Sequence, residues 1–332
     1  MLKPANLFYA AVLVVALIAP MLGIYPVYLM TLYCFAIFAC AFNLLLGFGG
    51  MLSFGHAAYF GFAAYSTSWL VTSQGWSSLA AIGMGVVAAT LLGLLIGLIA
   101  IRRSGIYFAM ITLALAQLVY FVCLQAPFTG GENGLQGVPR GDVLGLSLRS
   151  DNAMYYFVLA MLVVVVLFIG RVVHSPFGQV LKAIRENEPR AISLGYNVNR
   201  YKLLVFVLSS GLAGLAGSLK SLVLGFAALS DVLQATSGEV ILMTLLGGVG
   251  TFFGPILGAG IVITLQDTLS DRVGSWVTVI IGAIFVVCVL AFRKGVVGEL
   301  LAFIERRRQA KRDAIKSAAE LPGTNTANVV SH

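Results

Sequence analysis

Six polar side chains interrupt runs that are otherwise apolar: Asn43, His56, Gln117, Lys220, Glu239 and Asp267. They are scattered along the chain and form no cluster of His, Cys or carboxylates of the kind that builds a covalent active site. The cysteines Cys34, Cys40, Cys123 and Cys288 lie in apolar runs without metal-ligand spacing and read as small core residues. No metal, cofactor or covalent chemistry is expected. A phosphate-binding G-x-x-x-x-G-K-[ST] loop is missing too: Gly214 and Gly217 lead to Lys220-Ser221, but Leu219 stands where the second glycine must be. What remains is non-covalent. In lipid each polar group costs free energy unless it faces protein or water, so each marks an interhelical contact or a polar path. Asn43 and Gln117 fit hydrogen bonds between helices, and His56 fits a packing histidine or a proton relay. Glu239 fits a path residue or a partner for Lys220, while Lys220 and Asp267 can snorkel to the interface.

The elements that must position these residues are membrane helices. Of 332 residues 59% are hydrophobic and 10% charged, against roughly 25% charged in an ordinary soluble domain. The expected fold is an all-α polytopic membrane bundle with about ten transmembrane segments, some broken or re-entrant. Apolar runs long enough to span lie near 6–24, 27–46, 51–72, 78–101, 106–125, 154–170, 201–224, 236–250, 252–270 and 274–292. The run behind Lys3 has no small-residue cleavage site after it and reads as a retained first helix.

Charge placement orients the bundle. With the N-terminus inside, ten spans put 17 of the 21 Lys and Arg residues on the cytoplasmic side, leaving Arg140, Arg149, Lys220 and Arg272. This positive-inside bias predicts an N-in, C-in topology. It also accounts for the net charge of +8 without nucleic acid. The expected organisation is a membrane domain over 1–300, with an outer loop at 126–153 and an inner loop at 171–202. A basic tail over 301–332 follows, partly disordered and suited to anionic lipid.

Glycines punctuate the spans. Gly47, Gly49, Gly50 and Gly55 near one expected inner end resemble Gly247, Gly248, Gly250 and Gly254 near another. Both sets can break helices and expose backbone to a small solute, or permit close helix crossing. A duplicated half and chance similarity both fit. Gly93-x-x-x-Gly97, Gly254-x-x-x-Gly258 and Gly211-x-x-Gly214-x-x-Gly217 read as packing faces.

The inner loop carries the clearest local pattern. Phe177, Val180, Leu181 and Ile184 share one face of a short helix, with Gln179, Lys182, Arg185 and Glu186 elsewhere. Asn187 is the joint. Glu188-Pro189 opens a second short helix, and Gly195 closes it. Such a pair suits a docking element, or an amphipathic element resting on the membrane surface.

Glu188-x-x-Ala191-x-x-x-Gly195 resembles the EAA-type loop of ABC importer permeases, with Pro189 and Arg190 departing from the stricter pattern. The run SPFGQVLKAIRENEPRAISLGYNVNRYKLLVF is similar to branched-chain amino-acid permeases of the LivM-like type. So are NLLLGFGGMLSFGHAAYFGFAAY, RRSGIYFAMITLALAQ, TGGENGLQG and SGEVILMTLLGGVGTFFGPILGA, which together cover about 43–260. The resemblance implies an inner-membrane permease that moves leucine, isoleucine or valine. Its partners would be two cytoplasmic ATPases, a sibling permease and a periplasmic amino-acid binding protein. Arg185, Glu186, Asn187, Glu188, Ala191 and Gly195 would form the ATPase-coupling loop. Path residues would be Asn43, Gly49, Gly50, His56, Gln117, Glu239, Gly247 and Gly248. Related permeases for urea, amides or aromatic acids fit as well. An ion-coupled secondary transporter fits less, because it leaves the 171–202 loop without a role.

Overall fold

The computed structural model describes residues 16–17, 19–23, 25–143, 146–276, 279–280, 282–283 and 286. The expected spans at 6–24 and 274–292 lie largely outside the described residues, and Cys288 and the 301–332 tail lie wholly outside them.

The described helices are α1 (Pro26–Asn43), α2 (His56–Gln74), α3 (Ser78–Ala100), α4 (Ile106–Gln125), α5 (Asp151–His174), α6 (Pro176–Glu186), α7 (Glu188–Ser193), α8 (Val198–Leu224), α9 (Gln234–Gly247) and α10 (Gly254–Val273). Their ends follow local chemistry. Pro26 starts α1 at a position where its missing N–H costs nothing. Ser150 caps α5 by accepting from Ala153 N at 3.2 Å. Gly225 ends α8 with φ at +74°, a conformation that other residues adopt at a cost.

Five helical segments among the described residues are long and apolar enough to cross a membrane: Pro26–Phe48, α3, α4, α5 and α8. Three expected spans differ. The one at 51–72 begins only at His56, because 49–55 is irregular backbone, and α2 is enriched in Ser, Thr and Tyr. The one at 236–250 is a 14-residue helix. The apolar stretch of α10 is the shorter Gly254–Leu269. Burial separates centre from rim. The apolar windows of α1 and α8 are 72% and 67% buried, whereas those of α3, α4 and α5 are 33% buried. Thus α1, α2 and α8 form the middle, and the exposed Leu91, Leu95, Met110, Phe121 and Leu167 show the rim an apolar solvent.

The three small-residue motifs do lie at close crossings. A Cβ at Gly217 would overlap the Phe60 carbonyl of α2, and one at Gly258 would overlap the Met243 carbonyl of α9. At the end of the bundle away from α6 and α7, the 126–143 segment is tied down. Leu135–Gln136 pairs antiparallel with Phe226–Ala227, and Val138 N donates to Gly225 O at 2.9 Å. Arg140 bonds Asp151 at 2.5 Å and donates to Val223 O at 3.1 Å.

Candidate functional site

The 176–193 element is built from its own capping groups. Ser175 accepts from Gly178 N at 3.4 Å ahead of Pro176. The predicted face is buried at Leu181 and Ile184 and half-buried at Phe177 and Val180. Phe177 stacks on Tyr201 of α8 with ring centres 5.6 Å apart. Asn187 then caps α7, its side chain accepting from Arg190 N at 3.0 Å. Two reverse bonds close α7, Gly195 N to Ile192 O at 2.9 Å and Tyr196 N to Ala191 O at 3.2 Å. Gly195, at φ +86°, makes that closure possible. Ala191 is buried with Ile184 and Val198, while Glu186 is exposed. Glu188 pairs with Lys202 of α8 at 2.7 Å. Because Glu188 is partly open to water, Glu188→Gln is expected to cost less than about 1 kcal/mol in thermal unfolding of the purified protein. Ile192, Leu194 and Tyr196 stay exposed at 58%, 69% and 41%.

The two glycine breaks meet. After α1 the chain makes a wider π-type turn over Leu44–Phe48, with Gly49 N bonding back to Leu44 O at 3.3 Å and Met51 N to Leu45 O at 3.2 Å. After α9, Gly248 and Gly250 take φ of +114° and +77°. Asn43 joins the breaks: its Nδ2 donates to Thr251 O at 2.8 Å and its Oδ1 accepts from Gly250 N at 2.9 Å. Approach is so close that a Cβ at Gly47 would lie 2.6 Å from Gly250 N. Arg185 of α6 completes the junction by donating from Nη1 to Gly47 O. Asn43 is thus 2% exposed and serves as an interhelical brace.

The other polar candidates are dispersed. His56 is fully buried among the rings of Phe42, Tyr59 and Phe206. Its Nε2 lies 2.7 Å from Ser209 Oγ, which donates to Ala41 O at 2.5 Å. The hydroxyl proton is therefore committed, so the ring N–H sits on Nε2. Its Nδ1 has no hydrogen-bond partner among the described residues. Gln117 is half-buried on α4 with no side-chain hydrogen bond among the described residues. Glu239 accepts from Gln266 at 3.1 Å. The alternative of a Glu239–Lys220 pair is not met, and Lys220 does not snorkel. It is 6% exposed and pairs with Asp231 at 2.5 Å, with the Phe226 ring 5.1 Å from its ammonium. Asp231 was not legible as a partner, because it lies in the turn before α9 and carries no helical spacing to Lys220. Asp267 is exposed, in keeping with an interfacial position.

A cavity of about 790 Å³ opens between the first break and the inner-loop element, lined by Gly49, Gly50, Phe54, Arg103, Arg185 and Lys202 among others. It brings two predicted path glycines, Gly49 and Gly50, and two predicted coupling residues, Arg185 and Glu188, to one space. Gly247 and Gly248 lie across the junction, while His56, Gln117 and Glu239 do not line it.

Comparison with known proteins identifies relatives of the chain. The chain is 30% identical over 220 residues to the high-affinity branched-chain amino acid transport system permease protein LivM of Escherichia coli, covering 59% of this chain and 51% of the relative. It is 26% identical over 247 residues to the autoinducer 2 import system permease protein LsrC of Yersinia pseudotuberculosis, covering 69% and 67%. Over 139 residues it is 34% identical to the xylose transport system permease protein XylH of Haemophilus influenzae, covering 40% and 36%. The chain spans about half the length of the LivM relatives it matches. No solved structure matches it. The family model for the branched-chain amino acid transport system permease component matches residues 24–289, and the chain belongs to that family.

Proposed function

We propose that this chain is a permease subunit of an ATP-driven importer of branched-chain amino acids, seated in the bacterial inner membrane with both ends inside. The observation that carries the reading is the 176–196 element. It is capped by its own residues, it shows Ile192, Leu194 and Tyr196 to the outside, and its inner side touches both helix breaks. A surface helix that only rested on lipid would have no reason to bond the backbone of one broken helix and lie against the other. In this reading Arg185, Glu186, Asn187, Glu188, Ala191 and Gly195 couple the membrane domain of 1–300 to two cytoplasmic ATPases, where ATP is hydrolysed. A sibling permease and a periplasmic amino-acid binding protein complete the importer, and the 301–332 tail meets the lipid surface. Ten spans remain the arrangement that best fits the charge distribution.

The path is read from the residues at and around the two breaks. Gly49 and Gly50 line the cavity beside the coupling element. Gln117, with no side-chain hydrogen bond among the described residues and with exposed Leu118 and Phe121 on the same helix, is placed to face a second subunit or water. Gly247 and Gly248 form the second break, Glu239 lies about two turns before it on α9, and Asn43 and His56 hold the first in shape. The names of the relatives include xylose and autoinducer 2. A related small polar cargo is therefore the second reading.

Co-purification of the tagged permease with bound ATPase tests the first. Gly195→Glu meets open space but must hold a left-handed backbone, a cost of roughly 1–2 kcal/mol for a residue with a Cβ. The native chain is expected to retain the ATPase and the variant to lose most of it while still inserting. A native chain that retains none, in cells that still accumulate leucine without the candidate ATPase, removes the importer reading.

A further inference from the structure

We infer that Arg185 is a positioning residue that ties the 176–193 element to both glycine breaks, so that a displacement of the element shifts the two breaks together. The inference rests on the importer reading and assigns Arg185 a task inside the membrane domain, distinct from meeting the ATPase. One hydrogen bond and three close approaches or ties around it carry it. Arg185 Nη1 donates to the Gly47 carbonyl. The same nitrogen lies 3.2 Å from where a Cβ of Gly250 would be. The stem carbon Cγ lies 2.9 Å from where a Cβ of Gly50 would be. Asn43, which bonds both Gly250 N and Thr251 O, already holds the breaks to each other. A cation on α6 is therefore seated on the backbone of two segments about 200 residues apart in sequence.

The chemistry of the contact suits a tie. The Gly47 carbonyl lies in a π-type turn, where the regular i to i−4 bonding of a helix is disrupted. A charged donor there makes a stronger bond than a neutral one. Glycine at 47, 50 and 250 keeps the backbone bare enough for a guanidinium and its stem to approach. On its other side Arg185 borders the cavity of about 790 Å³. The side chain therefore has packed backbone on one flank and open space on the other.

The test uses the whole importer, with both permeases, the ATPases and the binding protein, in proteoliposomes. Arg185→Met keeps the stem against Gly50 and removes the donor, while Arg185→Lys restores a single cationic donor. Leucine moved per ATP hydrolysed is the readout, alongside the amount of ATPase retained. The expected result is a ratio about tenfold lower in Arg185→Met, within the range for coupling between sites. Arg185→Lys is expected to fall between that variant and the native chain. A native ratio in Arg185→Met overturns the inference. Loss of the bound ATPase in Arg185→Met overturns it as well, since Arg185 is then a docking contact. If Arg185→Met does not insert, Arg185→Lys carries the test: an intermediate ratio supports the tie and a native ratio overturns it. Failure of the native permease to hold any ATPase strikes the importer reading itself, before any variant is compared.

Discussion

Asp231→Ala is expected to cost about 3–5 kcal/mol, the usual penalty for stranding one member of a buried ion pair. Both side chains of the Lys220–Asp231 pair are 7% exposed, at 2.5 Å. The second carboxylate oxygen is occupied as well, accepting from Ala228 N at 3.3 Å. Removing the carboxylate leaves the Lys220 ammonium facing the Phe226 ring, an attraction worth about 2 kcal/mol when desolvated, too little to hold the charge. The chain must then flood the site with water or unfold its turn. The thermal midpoint in mild detergent measures this, and a fall worth less than about 1 kcal/mol would show that the pair is wet. Replacing both charges, as Lys220→Met with Asp231→Leu, is expected to recover most of the loss, because packed apolar groups often match a buried pair. If the double variant regains stability but not uptake, the pair serves transport beyond holding the fold.

The second large effect is steric. A side chain at Gly217 meets the carbonyl of Phe60, which belongs to the backbone of α2 and cannot rotate aside. Gly217→Leu is expected to cost at least about 3 kcal/mol, the upper end of ordinary overpacking, and to separate α8 from α2. Gly83 makes the control: it lies on the exposed side of α3 with nothing within 4 Å of a Cβ. Gly83→Leu is expected to insert and to unfold close to the native midpoint. Equal yields of folded protein from both variants would mean that the α2–α8 crossing is looser than its geometry.

What was legible in the sequence was local. The face of Phe177, Val180, Leu181 and Ile184, the joint at Asn187 and the stop at Gly195 depend on residues within one or two turns, so spacing alone exposes them. The close crossings at Gly217 and Gly258 were legible for the same reason, as small residues repeat on one helix face. Hydropathy failed at 51–55 because Met51, Leu52 and Phe54 are apolar enough to count toward a span, yet the backbone there is not helical. Pairing failed at Lys220 because its partner sits beyond the helix end, in a turn whose path is set by the 126–143 segment packed beside it. Asn43 lay between. Its type announced a hydrogen bond, but its partners at 250 and 251 are set by tertiary contact, which no local pattern carries. The meeting of the two breaks belongs to that class, although the likeness of their sequences was visible.

The capping of α6 and α7 has a consequence for how a partner arrives. Ser175, Asn187 and the Gly195 closure already satisfy the helix ends, and Ile184, Ala191 and Val198 already form a small core beneath them. The element is folded before it is met, so a protein docking on Ile192, Leu194 and Tyr196 need not order a loop as it binds. Ordering each mobile side chain would otherwise cost about 0.5–1.5 kcal/mol. Assembly should then behave as the meeting of two rigid bodies. Its heat-capacity change would reflect only the apolar surface covered at the contact, with no share from coupled folding.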